Sequence, residues 1–310
     1  MAKNIKQHPI TAVALSGVAL KNPIIAASGT FGFGKEYAQM FDLSVLGGIS
    51  VKGTTLHPRE GNPGTRVAET ASGILNSVGL QNPGVEAFIS NELPFLAKAG
   101  TAVIANIAGF SEDEYCEMAQ RLQNTSVDMI ELNISCPNVK EGGMVFGVKP
   151  EGVLKITSAV KKYCDKPLMV KLSPNCADIA ENARAAEAGG ADALSLINTL
   201  GGMAVDWKTR KPVLGNVFGG LSGRAIKPVA QKMVWQAFNA VKIPVVGMGG
   251  IYTATDVFEF MLCGARAVQV GTAQISDPYA LVRIVNDLTI LLKECNIEDV
   301  NEIVGKLEIG

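Results

Sequence analysis

Six polar side chains stand at the ends of six separate apolar runs: Ser28, Lys52, Asn106, Asn133, Lys171 and Asn198. Side chains alternate along a strand, so an inward-facing set can be followed to the strand's C-terminal end. A single Asn at such a place is ordinarily a satisfied turn residue. Six polar groups converging on one rim would be left without partners unless they met a polyanionic ligand rich in hydrogen-bonding atoms. The last two runs close on Gly247-Met248-Gly249-Gly250 and Gly271-Thr272, each ahead of a helix start. Backbone amides freed by glycine, together with helix N-termini, make a phosphate site. The expected ligand is therefore a phosphate joined to a large polar ring.

Candidates for acid–base work are few, because the chain has two histidines. His8 precedes the first run and reads as structural or solvated, whereas His57, in Leu56-His57-Pro58-Arg59-Glu60-Gly61, lies on a loop that could border the site. No Ser-His-Asp triad or metal-ligating cluster can be assembled, so no metal is expected. Cys136 remains, in Asn133-Ile134-Ser135-Cys136-Pro137-Asn138. A cysteine is most often a small buried hydrophobe, but Pro137 ends the strand and Glu141-Gly142-Gly143 reads as a flap. A thiol there, over a polar pocket, could act as base, nucleophile or acid.

The elements that would position these groups are eight apolar runs: 24–28, 45–52, 102–107, 129–134, 168–172, 193–198, 244–248 and 267–270. Helical patterns lie between them, among them 85–99, 112–123, 151–163, 177–188, 226–240 and 279–293. Ala99-Gly100, Gly189-Gly190 and Gly264 each close a helical pattern just before a run, as helix C-caps do. Eight alternating pairs predict an α/β fold, a (β/α)8 TIM barrel. The runner-up, a doubly wound sheet, would need a G-x-G-x-x-G order that Gly29-Thr30-Phe31-Gly32-Phe33-Gly34 lacks. Thr11 to Leu20 reads as a strand, a Ser16-Gly17 turn and a strand, so residues 1–22 are expected to cap the barrel as an N-terminal β-hairpin. Long irregular segments, 53–84, 137–149 and 200–224, fall on the C-terminal rim as extended loops. No linker divides the chain, and residues 1–310 are expected to form a single domain.

Composition sets the outer bounds. Of 310 residues, 47% are hydrophobic and 18% charged, against a usual charged share of about 25%, which suits strands covered on both faces. The 28 basic and 29 acidic residues nearly cancel and no basic run occurs, so nucleic acid is not an expected partner. No uninterrupted apolar stretch of membrane-spanning length occurs, and a signal peptide is the lesser reading of the N-terminus. The six cysteines show no C-x-x-C or ferredoxin spacing, which predicts a reducing cytoplasmic setting and no iron–sulfur cluster of usual spacing in this chain.

These residues resemble the dihydroorotate dehydrogenases. The likeness runs over nearly the whole chain, through A-A-S-G-T-F-G at 26–32, Lys52-Gly53-Thr54, Asn76-Ser77-Val78-Gly79-Leu80, N-I-S-C-P-N at 133–138, Lys171, Ile197-Asn198-Thr199, Gly220-Leu221-Ser222-Gly223 and both glycine clusters. The resemblance implies a flavin-binding barrel. By position, it implies that FMN is held by Ser28, Lys52, Gly53, Asn106, Asn133 and Lys171, and by Ile197, Gly223, Gly249, Gly250, Gly271 and Thr272. Substrate would be held by Lys52, Asn76, Ser77, Val78, Gly79 and Leu80, with Asn133, Asn138, Asn198 and Thr199. It implies further that Cys136 is the catalytic base, that Lys52 meets a carboxylate, and that Lys171 stabilises charge on reduced flavin.

A cysteine in that place is similar to the soluble class rather than the membrane-associated one, and C-P-N-V-K-E-G-G resembles its NAD-linked branch. That branch implies dihydroorotate oxidation to orotate in pyrimidine biosynthesis. It also implies an electron-transfer subunit carrying FAD and a [2Fe-2S] cluster, joined to a homodimer core in a heterotetramer. Arg224 departs from the family's usual proline and bears on the flavin loop. Other readings stay open: a fumarate-linked homodimer, a flavin-free phosphosugar isomerase or lyase barrel, and a flavin-binding module in which Cys136 is inert.

Overall fold

The computed structural model describes residues 8–134 and 146–310. Eight parallel strands close on themselves: β1 (Ile24–Ala26), β2 (Gly48–Ser50), β3 (Ala102–Ile107), β4 (Met129–Asn133), β5 (Leu168–Lys171), β6 (Ala193–Leu196), β7 (Val245–Met248) and β8 (Ala265–Val270). They neighbour one another in chain order, with β8 paired to β1 and β5 to β6. This is the expected barrel. Most of these strands are buried along their whole length, which continuous Val, Ile, Leu and Ala runs permit and alternating ones would not.

Helices wrap the outside with one apolar stripe each. In Ala280–Glu294 the buried residues Leu281, Ile284, Leu288 and Leu292 recur at spacings of three and four, the period that keeps one face inward. Gly100, Gly190 and Gly264 have φ of 65°, 93° and 106°. Each leaves its helix through the left-handed region just before β3, β6 and β8, which only glycine enters without strain.

At the opposite mouth, Val13–Leu15 and Val18–Leu20 pair as an antiparallel hairpin. Its two turn residues, Ser16 and Gly17, have φ of 49° and 87°, the arrangement of a two-residue type I′ turn. Ser16 donates to the Asp192 carbonyl just ahead of β6 (2.6 Å), and Leu15 and Leu20 are buried.

Three sequence expectations need correcting. The run 45–52 begins too early: Leu43–Val45 is a 3-10 turn capped by Asp42, and β2 starts at Gly48. The helix over 85–99 is broken into Val85–Ala87, a wide turn at Phe88–Glu92, and Leu93–Leu96. Pro94 has no N–H to donate back, so the regular ladder cannot run through it. The rim segments 53–84 and 200–224 are not irregular. They share a four-stranded antiparallel sheet ordered Leu200–Met203, Phe218–Ser222, Gly73–Asn76, Val67–Thr70.

Candidate active site

A cavity of about 310 Å3 opens at the C-terminal ends of the barrel strands. Asn106, Asn133 and Lys171 reach it from the ends of β3, β4 and β5. Ser28, Lys52 and Asn198 reach it from two residues beyond β1, β2 and β6. All six predicted strand-end groups therefore border one space. Lys171 is buried, with Nζ 3.4 Å from Ser28 Oγ. Asn133 Nδ2 lies 3.5 Å from Asn106 Oδ1, and the Asn133 carbonyl accepts from the Tyr115 hydroxyl (2.8 Å).

One end of the cavity is glycine backbone. Gly249 and Gly250 follow β7 with φ of 125° and 77°. A side chain at Gly250 would bring a Cβ within 2.6 Å of Lys227 Cβ and 2.9 Å of its backbone nitrogen. Gly223, Gly271 and Thr272 complete that end, and Thr272 Oγ1 donates to Ser222 Oγ (2.9 Å). The loop after Gly250 is clamped from below. The Asp256 carboxylate accepts from the Tyr252 and Thr253 backbone N–H groups (2.8 and 2.9 Å) and pairs with Lys227. Burial pushes the Asp256 carboxyl up, but the Lys227 bond and the loop N–H groups outweigh it and hold it below the usual carboxylate range. Arg224 lies outside the lining, with its guanidinium 4.1 Å over the ring of Tyr252, which does line the cavity.

The other wall comes from the excursion sheet and its flanks: Asn76, Val78, Gly79, Leu80 and Thr199, with Gly53 and Ile197 beside them. Asn76 Nδ2 donates to the Gly220 carbonyl (3.2 Å) across the sheet. Leu80 sits at φ 57°, a costly conformation for a branched side chain, and Asn82 holds its carbonyl (2.6 Å). Ser77 alone among the described predicted residues does not line the cavity. Its hydroxyl accepts from Asn62 Nδ2 (3.1 Å) and its N–H donates to Arg66 (2.7 Å). His57 is exposed and also stands outside the lining. Cys136 and Asn138 lie outside the described residues. None of the described cysteines borders the cavity; burial raises the thiols of Cys116, Cys176 and Cys263, and takes Cys164 up to about 11.

The floor contains a group the sequence reading passed over. Glu131, inside β4, has no exposure to solvent. Its Oε2 accepts from Ser50 Oγ and Asn106 Nδ2 (both 2.6 Å), and its Oε1 from Ser195 Oγ and Gln269 Nε2 (both 2.7 Å). Burial works against its charge, but Lys171 and the hydroxyl and amide donors prevail and keep the carboxyl below its ordinary range. Gln269 also lines the cavity. Both residues follow the period-2 alternation, Glu131 two before Asn133 and Gln269 two before Gly271, so that signal was there to find them.

The profile of the family described as dihydroorotate dehydrogenase matches residues 10–292. The chain belongs to the dihydroorotate dehydrogenase family. Among its relatives, "Dihydroorotate dehydrogenase B (NAD(+)), catalytic subunit" of Alkaliphilus oremlandii is 55% identical over 295 residues, 95% of this chain and 98% of the relative. The proteins of the same name from Thermoanaerobacter pseudethanolicus and Geobacter sp. strain M21 are 54% and 51% identical. They cover 96% and 98% of this chain, and 98% and 100% of their own lengths. Membership in the dihydroorotate dehydrogenase family agrees with a barrel whose polar groups gather at the C-terminal mouth, where barrels of this kind build their sites.

Proposed function

We propose that this chain is the catalytic subunit of an NAD-linked dihydroorotate dehydrogenase, oxidising dihydroorotate to orotate in pyrimidine biosynthesis with FMN as its cofactor. The observation that carries the reading is the cavity itself. Two lysines and a set of amides from different strands border one space, with a glycine-backbone end to which a phosphate is suited.

In this reading Gly223, Gly249, Gly250, Gly271 and Thr272 hold the phosphate of FMN. Ser28, Lys52, Gly53, Asn106, Asn133, Lys171 and Ile197 surround the ring. Bound FMN supplies the hydride acceptor. Lys52 pairs with the substrate carboxylate, while Asn76, Asn133, Asn138 and Asn198 meet the alternating donors and acceptors of a pyrimidine edge. Val78, Gly79, Leu80 and Thr199 close the wall, and Ser77 supports it from behind. Cys136 takes the proton from the carbon next to the one that gives up hydride, and the electron pair left behind forms the ring double bond. Its place shortly after Asn133 in sequence supports that role. Lys171 is placed to offset negative charge on a reduced ring.

Electrons then pass to NAD through a partner subunit bearing FAD and a [2Fe-2S] cluster, on a homodimeric core. The relatives' designation as catalytic subunits supports a partner. So do Met203 and Phe218, paired across the excursion sheet and both exposed. Residues 1–310 act as one domain in the cytoplasm; among the described residues no helix is long and apolar enough to cross a membrane. The test is the visible spectrum of the isolated chain. A yellow protein bleached by dihydroorotate is expected, with reoxidation by NAD only when the partner is added. A colourless chain would favour the flavin-free barrel, and brisk turnover with fumarate alone would overturn the NAD assignment.

A further inference from the structure

Ser50, Asn106, Ser195 and Gln269, from β2, β3, β6 and β8, all donate to the Glu131 carboxylate. The carboxyl therefore needs no proton of its own, and it is held below its ordinary range despite complete burial. A full negative charge sits inside the barrel. Asn106 and Gln269 also line the cavity, which puts that charge one amide side chain beneath it. The lining carries Lys52 and Lys171 and, among the described residues, no Asp or Glu. Lys171 stands diagonally from Glu131, because it pairs in register with Asn133, two residues further along β4. A hydrogen bond needs an atom aimed at its partner, whereas a charge acts through low-dielectric protein in every direction.

We infer that Glu131 is a positioning residue acting by its charge: it offsets Lys171 from beneath the cavity and weakens the site's preference for reduced over oxidised flavin. The inference rests on the FMN reading. Hydride taken up by the neutral flavin ring brings one negative charge with it, which Lys171 favours and Glu131 opposes. A chain whose cofactor must hand its electrons on gains from that balance, because reduced flavin held too tightly is a poor donor. Charges about 10 Å apart at an effective dielectric of about 20 still alter an equilibrium constant by about tenfold or more.

Glu131→Gln removes the charge and nearly preserves the volume. The full chain loaded with FMN is titrated anaerobically against a redox dye of known potential. Its midpoint potential relative to free FMN gives the ratio of affinities for reduced and oxidised flavin. In Glu131→Gln that ratio should move about tenfold toward the reduced form, a rise of about 30 mV for a two-electron couple. Glu131→Asp keeps the charge while disturbing the four hydrogen bonds, so its ratio should stay within about threefold of the unaltered chain even where its melting temperature falls. A Glu131→Gln ratio that moves by less than about threefold, or toward the oxidised form, overturns the inference. So does a Glu131→Asp ratio shifted as far as that of Glu131→Gln, which is what a merely structural role predicts. If Glu131→Gln leaves Lys171 unopposed and does not fold, the double variant Glu131→Gln/Lys171→Met is compared with Lys171→Met alone. The double variant should favour the reduced form by about tenfold more, and equal ratios overturn the inference. A chain that binds no flavin at all fails differently, because it removes the FMN reading first.

Discussion

Replacing Lys171 with Met removes one charge from the cavity floor and keeps an unbranched stem of similar length. Lys171 pairs in register with Asn133 on the neighbouring strand, one diagonal step from Glu131, and after burial it is the main influence on the Glu131 carboxyl. The variant keeps the four hydrogen bonds to Glu131 but buries its charge with no cation opposite. Lys171 is a diagonal neighbour of Glu131 rather than a contacting ion pair, and two unit charges about 6 Å apart attract by about 3 kcal/mol at an effective dielectric of about 20. An unfolding entropy of about 2.1 cal/mol/K per residue converts that into a melting temperature lower by about 5 °C for a chain of 310 residues. The sign with pH follows from the direction of the shift. Glu131 is held below its ordinary value, so it contributes stability above the unfolded carboxylate range and loses it as pH falls through the folded value. Without Lys171 the folded value rises, so the variant neutralises Glu131 earlier on acidification. The deficit should be largest at neutral pH and narrow as pH drops toward the carboxylate range. Differential scanning fluorimetry of the cofactor-free chain at several pH values measures it. Equal melting at neutral pH, or a deficit that ignores pH, would refute the coupling of Lys171 to Glu131.

Cys136→Ala should slow reduction of the FMN-loaded chain by dihydroorotate by about 10^2- to 10^4-fold, the usual worth of a positioned base, while flavin titration shows unchanged FMN affinity. Gly250→Ala forces a Cβ against Lys227 at a φ of 77°, so FMN should bind much more weakly while riboflavin, which has no phosphate, is affected less; equilibrium titration with both compares them. Asp256→Asn weakens the clamp on the loop after Gly250 and should cost about 1 kcal/mol of stability at neutral pH, as loss of a helix cap does. Because the Asp256 carboxyl is held low, that cost should fade as pH falls through the native value, a trend that denaturant titrations at two pH values will reveal.

The rim was legible because its signal is local. A polar residue ending an apolar run, repeated on six runs, needs only period-2 alternation and a count of strands, and Asn106, Asn133 and Lys171 all border the cavity as expected. The floor obeys the same alternation one step lower at Ser50, Glu131 and Gln269, while Ser195 lies three residues before Asn198 and departs from it. It was missed because Glu131 sits inside the apolar run 129–134, and a charge there has no local reason to exist. Its reasons are on four other strands. The excursion sheet failed to show for a related cause. Asn76 bonds to Gly220 across 144 residues of sequence, and the partner strand Phe218–Ser222 contains two glycines, which carry little β propensity of their own. Ser77 illustrates the limit within a correct segment. Its neighbours Asn76 and Val78 face the cavity, so alternation turns Ser77 the other way, toward Asn62.

The barrel and the excursion sheet thus divide the work of the site. Strand-borne groups are held together from below, because Glu131 ties four other strands to one carboxylate. The spacing between the Asn76 wall and the glycine end is set elsewhere. Gly73–Asn76 places Asn76 on one wall of the cavity, and its partner Phe218–Ser222 carries Ser222, which accepts from Thr272 at the glycine end. One antiparallel ladder therefore spans both ends of the cavity. A slip of one residue in that ladder would turn Asn76 away from the cavity and shift Ser222 relative to Thr272 in the same motion. The bonds Asn76 Nδ2 to Gly220 and Ala225 N–H to Ser72 oppose such a slip from opposite sides of the sheet's pairing. Loosening either should therefore weaken substrate and phosphate recognition together, although the two groups come from opposite walls.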